Sequence, residues 1–258
     1  MDKMLEHYNL AIAARSEGDL PTAAHILGYL TATYPTEPLF FWQLGYTHLD
    51  MNSPERAVDA FNAALLLDCN NIPAVGGLGQ CYLAMKEWDK AAEYFARRLQ
   101  LRESANHYVF LAFALRMNGD YNSSISAANN AIRLQADNPE AFLNLGIALR
   151  ACGRNEEALR AFSQATTLRP EYALAACEKA YTEYLLGDSE SALQGLTRLT
   201  LEITTCCLAK HYKWMIYAHL GSSQMSEIML EEMRNCCGHS MKFPGGATGP
   251  EPLRDAPE

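Results

Sequence analysis

The residues whose types most invite chemistry lie near the C-terminus: Cys206-Cys207 and Cys236-Cys237, with His211 and His239 close in sequence. Thiolates and imidazoles are zinc ligands, and two facing thiols form a disulfide under oxidation. Vicinal cysteines do not have the C-x-x-C spacing that lets two thiolates face one metal, so no metal centre and no cofactor is expected. The acidic pairs Glu156-Glu157 and Glu231-Glu232 raise acid–base catalysis, but adjacent residues on a helix point in different directions. A solvated helix face explains them with less. Gly76-Gly77-Leu78-Gly79 lacks the third glycine and the preceding strand of a dinucleotide fingerprint, and H-E-x-x-H, G-x-S-x-G and G-x-x-x-x-G-K-[ST] do not occur. No catalytic residue is assigned, and the chain is expected not to be an enzyme.

For the cysteine pairs to meet at all, an antiparallel helical hairpin must carry them, and helical patterning runs through the chain. Its most regular stretch is Asn138 to Pro170. There Phe142, Leu145, Gly146 and Leu149 fall at i, i+3, i+4 and i+7, one apolar stripe whose glycine lets another helix approach closely. Asn138 can cap that helix, with Pro139 at its first position. Gly153 supplies a left-handed ending, and Asn155-Glu156-Glu157 starts a second helix striped by Ala158, Leu159, Phe162 and Ala165. Neither helix can bury its stripe alone, so the pair needs more of its kind stacked on it.

The same arrangement returns along the chain. The turn residues Gly18, Asn52, Lys86, Gly119, Gly153, Gly187 and Gly221 are separated by 34, 34, 33, 34, 34 and 34 residues. About six repeats are expected, followed by a capping hairpin over about 207–237, so residues 1–237 form one array. Residues 238–258, rich in glycine and proline, read as a flexible tail. The chain has 258 residues, 49% of them hydrophobic, and a net charge of −9, which disfavours an electrostatic grip on nucleic acid or anionic membrane. Its longest apolar run, Tyr108 to Leu115, is too short to span a bilayer. The first residues carry charges where a signal peptide needs an apolar run, so the chain reads as unprocessed and cytoplasmic, with its eight cysteines reduced. Asn122-Ser123-Ser124 matches a glycosylation acceptor, which matters only in a secreted chain.

Phe142, Leu145-Gly146, Leu149, Ala158, Phe162, Ala165 and Pro170 together resemble the tetratricopeptide repeat, whose third large place is usually aromatic and here is Leu149. The resemblance implies an all-α fold, a right-handed superhelical solenoid of antiparallel helix pairs, whose first helices line a concave groove. Transferred position by position, that groove is lined by Tyr8, Ile12 and Arg15, then Trp42, Tyr46 and Leu49, then Gly76, Gln80 and Leu83. Val109, Phe113 and Arg116 follow, then Leu143, Ile147 and Arg150, and lastly Cys177, Tyr181 and Tyr184.

This set is apolar and aromatic, with Arg15, Arg116 and Arg150 in one column. Family members that bind chaperone C-termini place lysine and asparagine at these inner positions, whereas this chain has mostly Tyr, Trp, Leu, Ile and Phe. The expected partner is a polypeptide segment with apolar side chains, carrying acidic residues near the arginine column. Burial by neighbouring helices or self-association is the plainer use of the same residues, leaving a homo-oligomer possible. Two further roles fit: a cytoplasmic chaperone for a hydrophobic secreted client, similar in character to the type III translocator chaperones, or a regulatory, self-assembling subunit.

Overall fold

The computed structural model describes residues 3–203 and 207–237, with side chains in the last helix only as far as Met233. The glycine- and proline-rich stretch 238–258 lies outside the described residues. The described residues form fourteen α-helices and no strand. They are α1 (Lys3–Ser16), α2 (Leu20–Thr33), α3 (Pro38–Asp50), α4 (Pro54–Leu67), α5 (Ile72–Ala84), α6 (Trp88–Leu101) and α7 (Ala105–Met117). The remainder are α8 (Tyr121–Leu134), α9 (Pro139–Ala151), α10 (Asn155–Leu168), α11 (Ala173–Leu185), α12 (Ser189–Glu202), α13 (Cys207–His219) and α14 (Ser223–Cys237). The chain divides into two compact units, Met1–Cys152 with α1–α9 and Gly153–Glu258 with α10–α14.

One turn design recurs because its residues suit it. Gly18, Gly119, Gly153, Gly187 and Gly221 have positive φ, between 70° and 91°, and Asn52 and Lys86 take the same left-handed conformation at 55° and 61°. That conformation closes the helix C-terminus: the N–H of the following residue reaches back five places, as from Ser53 to the His48 carbonyl at 2.9 Å and from Asp120 to Leu115 at 2.9 Å. At three turns that residue is an aspartate, and Asp19, Asp120 and Asp188 then cap the next helix by accepting from the N–H of Thr22, Ser123 and Ser191. These bonds hold the three carboxyls below the usual carboxylate range. Asn71 and Asn138 cap first helices in the same way, accepting from Ala74 and Ala141.

In the first unit each second helix packs on its own first helix and on the first helix of the next pair, and α3 also touches α5, as α7 touches α9. The first helices therefore form a row. Phe40, Phe61 and Phe95 are wholly buried within this unit. The row is tight because glycine faces phenylalanine: a Cβ built on Gly45 or Gly77 would lie 2.6 or 2.2 Å from the Phe61 ring, and one on Gly79 2.8 Å from Phe95. Where α8 has Ser124 in place of the usual alanine, its buried hydroxyl donates to the Ala112 carbonyl at 2.8 Å, so the polar atom is satisfied. In the second unit Leu196, Ala192, Ala209 and Ile216 form the core between α11, α12 and α13.

His107, on α7, packs against Phe95 and Phe110 with ring centroids 6.2 and 6.1 Å away. Burial, reinforced by the charge of Arg98, pushes its pKa down to about 4 from the usual 6.5. The folded protein thus holds a neutral imidazole where the unfolded chain binds a proton, so stability is present above about pH 6.5 and is lost as pH falls toward 4.

Two outcomes follow from this packing. Gly77→Ala is expected to cost about 3 kcal/mol of unfolding free energy by overpacking against Phe61, while Lys86→Gly is expected to stabilise by up to about 1 kcal/mol by relieving a left-handed lysine. Denaturant midpoints measure both. Between pH 6.5 and 5 the wild type is expected to lose stability more steeply than His107→Phe, as read from unfolding curves at stepped pH.

Candidate interaction surface

The side chains named in the groove fall into two groups. Ile12, Trp42, Leu49, Gln80, Leu83, Val109, Phe113 and Ile147 are half-buried on first helices of the first unit. Gly76 and Leu143 are covered there, as are Cys177 and Tyr184 in the second unit. Coverage leaves these four little to offer a partner.

The first unit's face is set by ties from one first helix to the next. Arg15 Nε and Nη2 approach Asp50 Oδ2 at 2.8 and 2.6 Å, its Nη1 donates to Gln43 Oε1 at 3.2 Å, and the Gln43 amide donates to the Tyr8 hydroxyl at 2.9 Å. Its guanidinium also lies 5.9 Å from the centre of the Tyr46 ring. Arg116 donates to Asn144 Oδ1 at 3.3 Å and sits 5.0 Å over Phe113. Each arginine thus reaches a polar residue half a helix back on the following first helix. These contacts align the row before any partner arrives, and Arg150 is half-buried on the same column.

Tyr46 and Trp42 form one aromatic element of this face. Their rings meet edge to face at 6.1 Å, Tyr46 packs on Phe61 at 5.0 Å, and its hydroxyl donates to the Pro73 carbonyl at 3.0 Å. Burial raises the Tyr46 pKa against the charges of Arg98 and Arg15. Farther along, Trp88 at the start of α6 supports Phe113 edge to face at 6.1 Å. In the second unit Tyr181 stacks on Tyr212 at 4.7 Å, the Tyr212 hydroxyl donates to Glu178 Oε1 at 3.2 Å, and the Tyr184 hydroxyl bonds the His219 ring. Its tyrosines are thereby joined to α13.

Sequence reasoning did not find Gln43, Asn144 or Glu178, which sit one residue beyond the expected groove positions. Their signal was their polarity on otherwise apolar helix faces. The cysteine cluster is only partly in view: Cys206, His239 and the side chains of Cys236 and Cys237 lie outside the described residues. Cys207 is disulfide-bonded, the oxidised form that the vicinal cysteines left open beside the general expectation of reduced thiols, whereas Cys69, Cys81, Cys152 and Cys177 are free thiols. His211 stacks on Trp214 at 6.0 Å. Burial pushes the Cys81 thiol up to about 12, which keeps it protonated and unreactive. Among the described residues no three His, Cys, Asp or Glu side chains gather to hold a metal ion, and no helix is long and apolar enough to cross a membrane. Glu157 is held by Arg154 at 2.6 and 2.7 Å on an exposed surface, and Glu156 is exposed.

Comparison with known proteins agrees with this architecture. The chain is 28% identical over 160 residues to superkiller protein 3 of Schizosaccharomyces pombe, an alignment covering 56% of this chain but only 11% of that protein. Among solved structures it resembles a tetratricopeptide repeat protein from Parabacteroides merdae, with a TM-score of 0.74, 15% identity, and 91% of this chain and 93% of that one covered. It also resembles YrrB, described as a tetratricopeptide repeat protein with an unusual peptide-binding site, with a TM-score of 0.63, 23% identity, and 74% and 99% covered. Tetratricopeptide repeat profiles match residues 8–71, 111–173 and 143–201, and a second such profile matches 48–105. With its all-α solenoid and helix-pair period, the chain belongs to the tetratricopeptide repeat family.

Proposed function

We propose that this chain is a non-catalytic protein-interaction scaffold that holds a polypeptide segment with apolar side chains against the first-helix row of α1–α9. The observation that carries the reading is the Trp42–Tyr46 pair. Both rings are partly buried, Tyr46 is locked by Phe61 and by the Pro73 carbonyl, and Ile12 and Leu49 extend the same apolar surface. Rigid, partly buried aromatics on a prealigned face lose little freedom on binding, which is what an anchor for a partner requires. The peptide-binding site named for the structurally similar YrrB supports the same use of the fold.

The ties at Arg15 and Arg116 modify the expected chemistry. With Asp50 and Asn144 already as partners, these arginines mainly order the row, and the apolar side chains between them carry the contact with the polypeptide. Tyr8, Gln80, Leu83, Val109, Ile147 and Arg150 lie along the same face and would extend the footprint. In the second unit Tyr181 offers the remaining aromatic surface.

Trp42→Ala combined with Phe113→Ala removes two partly buried rings and leaves the Tyr46–Phe61 packing in place. Compared with the wild type by quantitative co-purification from the native cell, the double variant is expected to recover its partners about tenfold less, as for truncated interface anchors. Leu66→Ala, at a side chain 88% exposed on α4, serves as the second-helix control and is expected to recover them unchanged. Equal recovery by all three proteins would mean that the first-helix row is the wrong surface.

A further inference from the structure

Arg98 departs from its repeat. It occupies the place that holds Ala64, Ala131 and Ala165 in three units and Leu30, Leu199 and Met233 in three others, and so brings a long cation to a position that is otherwise apolar. The chain accommodates it by a second departure: α5 carries Gly76 where α3 has Trp42 and α7 has Val109. A Cβ built on Gly76 would lie 3.7 Å from Cδ and Nε of Arg98 and 3.4 Å from Nε2 of His107. The stem of Arg98 therefore crosses from α6 to the first helices over the bare backbone of Gly76.

The charge at the end of that stem is uncommitted in the sense that matters for a ligand. Arg98 donates from Nη1 to the Arg102 carbonyl at 2.8 Å and has no carboxylate partner among the described residues. Glu103, five residues on, is engaged elsewhere: it meets Arg133 at 3.2 Å and accepts from the Tyr108 hydroxyl at 3.1 Å. Arg97, its neighbour, donates to the Cys69 carbonyl at 2.6 Å. Arg98 is half-buried, and its charge, with that of Arg15, opposes the rise that burial gives the Tyr46 pKa. His107, neutral at physiological pH, adds no second cation but has a buried Nδ1 with no hydrogen-bond partner among the described residues.

We propose that Arg98, reached over Gly76 and bordered by Tyr46 and His107, is the acid-reading position of the peptide face, receiving an Asp or Glu side chain of a bound segment whose apolar neighbour rests on Trp42 and Tyr46. This rests on the scaffold reading above and relocates its charge preference, since Arg15 already holds Asp50 and Arg116 already holds Asn144. Charge complementarity selects the occupant: a guanidinium with no carboxylate partner among the described residues favours an anion with fork geometry, and a side-chain carboxylate beside an apolar residue matches cation and aromatics together.

Random peptides displayed on phage, selected in parallel on the full chain and on Arg98→Ala, test this. Alanine is what three other repeats carry at this place, so the variant is expected to fold, which its melting curve checks. The wild type is expected to enrich peptides with Asp or Glu at a fixed distance from an apolar residue, and Arg98→Ala to enrich apolar peptides without the acid. For a synthetic peptide of the enriched sequence, Glu→Gln (or Asp→Asn where the acid is aspartate) is expected to weaken binding to the wild type about tenfold and to leave binding to Arg98→Ala unchanged. Apolar peptides without acidic enrichment, or an acidic preference that survives in Arg98→Ala, overturn the role of Arg98 while the scaffold reading stands. Failure to enrich any peptide overturns both.

Discussion

The structure depends on how closely a phenylalanine can lie against helix backbone. Phe61 fills the space between α3 and α5 only because Gly45 and Gly77 present no side chain to it, and Phe95 uses Gly79 in the same way. A helix pair so closed has one geometry available, and the next pair must adopt it again. The 34-residue period is the sequence record of that contact: two helices of fixed length, a left-handed turn between them, and, nine residues after the turns at Asn52, Lys86 and Gly153, an aromatic wedge at Phe61, Phe95 and Phe162.

Because that packing is satisfied by alanine, glycine and phenylalanine, the row of first helices keeps residues that packing does not require. In the first unit these divide by chemistry. Polar ones, Arg15, Gln43, Asp50, Arg116 and Asn144, bond across the row and fix its alignment. Apolar ones, Trp42 among them, are partly buried against the core. These partly buried apolar side chains also pack on the core, so the proposed partner surface would be made by the parts of them that the core leaves uncovered. The second unit differs, because its tyrosines are stacked or bonded to α13.

The fold was legible in the sequence because the turn chemistry is local. Positive φ demands Gly or a tolerated substitute, and Asn52 and Lys86 could be placed as substitutes by register alone. The candidate surface was legible only in outline. Which helix face is inward follows from the period, but Leu143 and Tyr184 look as available as Trp42 until the neighbouring helices are in place. The commitment of Arg15 to Asp50 spans 35 residues and depends on the stagger between successive pairs, which no local pattern records. Arg98 stands in the sequence at a position that is apolar in the other units. Its route over Gly76 needed both departures to be seen in three dimensions.

The central claim is that polypeptide binding uses the first helices of α1–α9. Backbone hydrogen exchange, measured on the chain alone and saturated with a partner recovered by the wild type, tests it helix by helix. Slowed exchange is predicted in α1, α3, α5, α7 and α9, centred on the segment holding Trp42 and Tyr46, with α2, α4 and α8 unchanged. Slowing confined to the second helices, with the first helices unaffected, would contradict it.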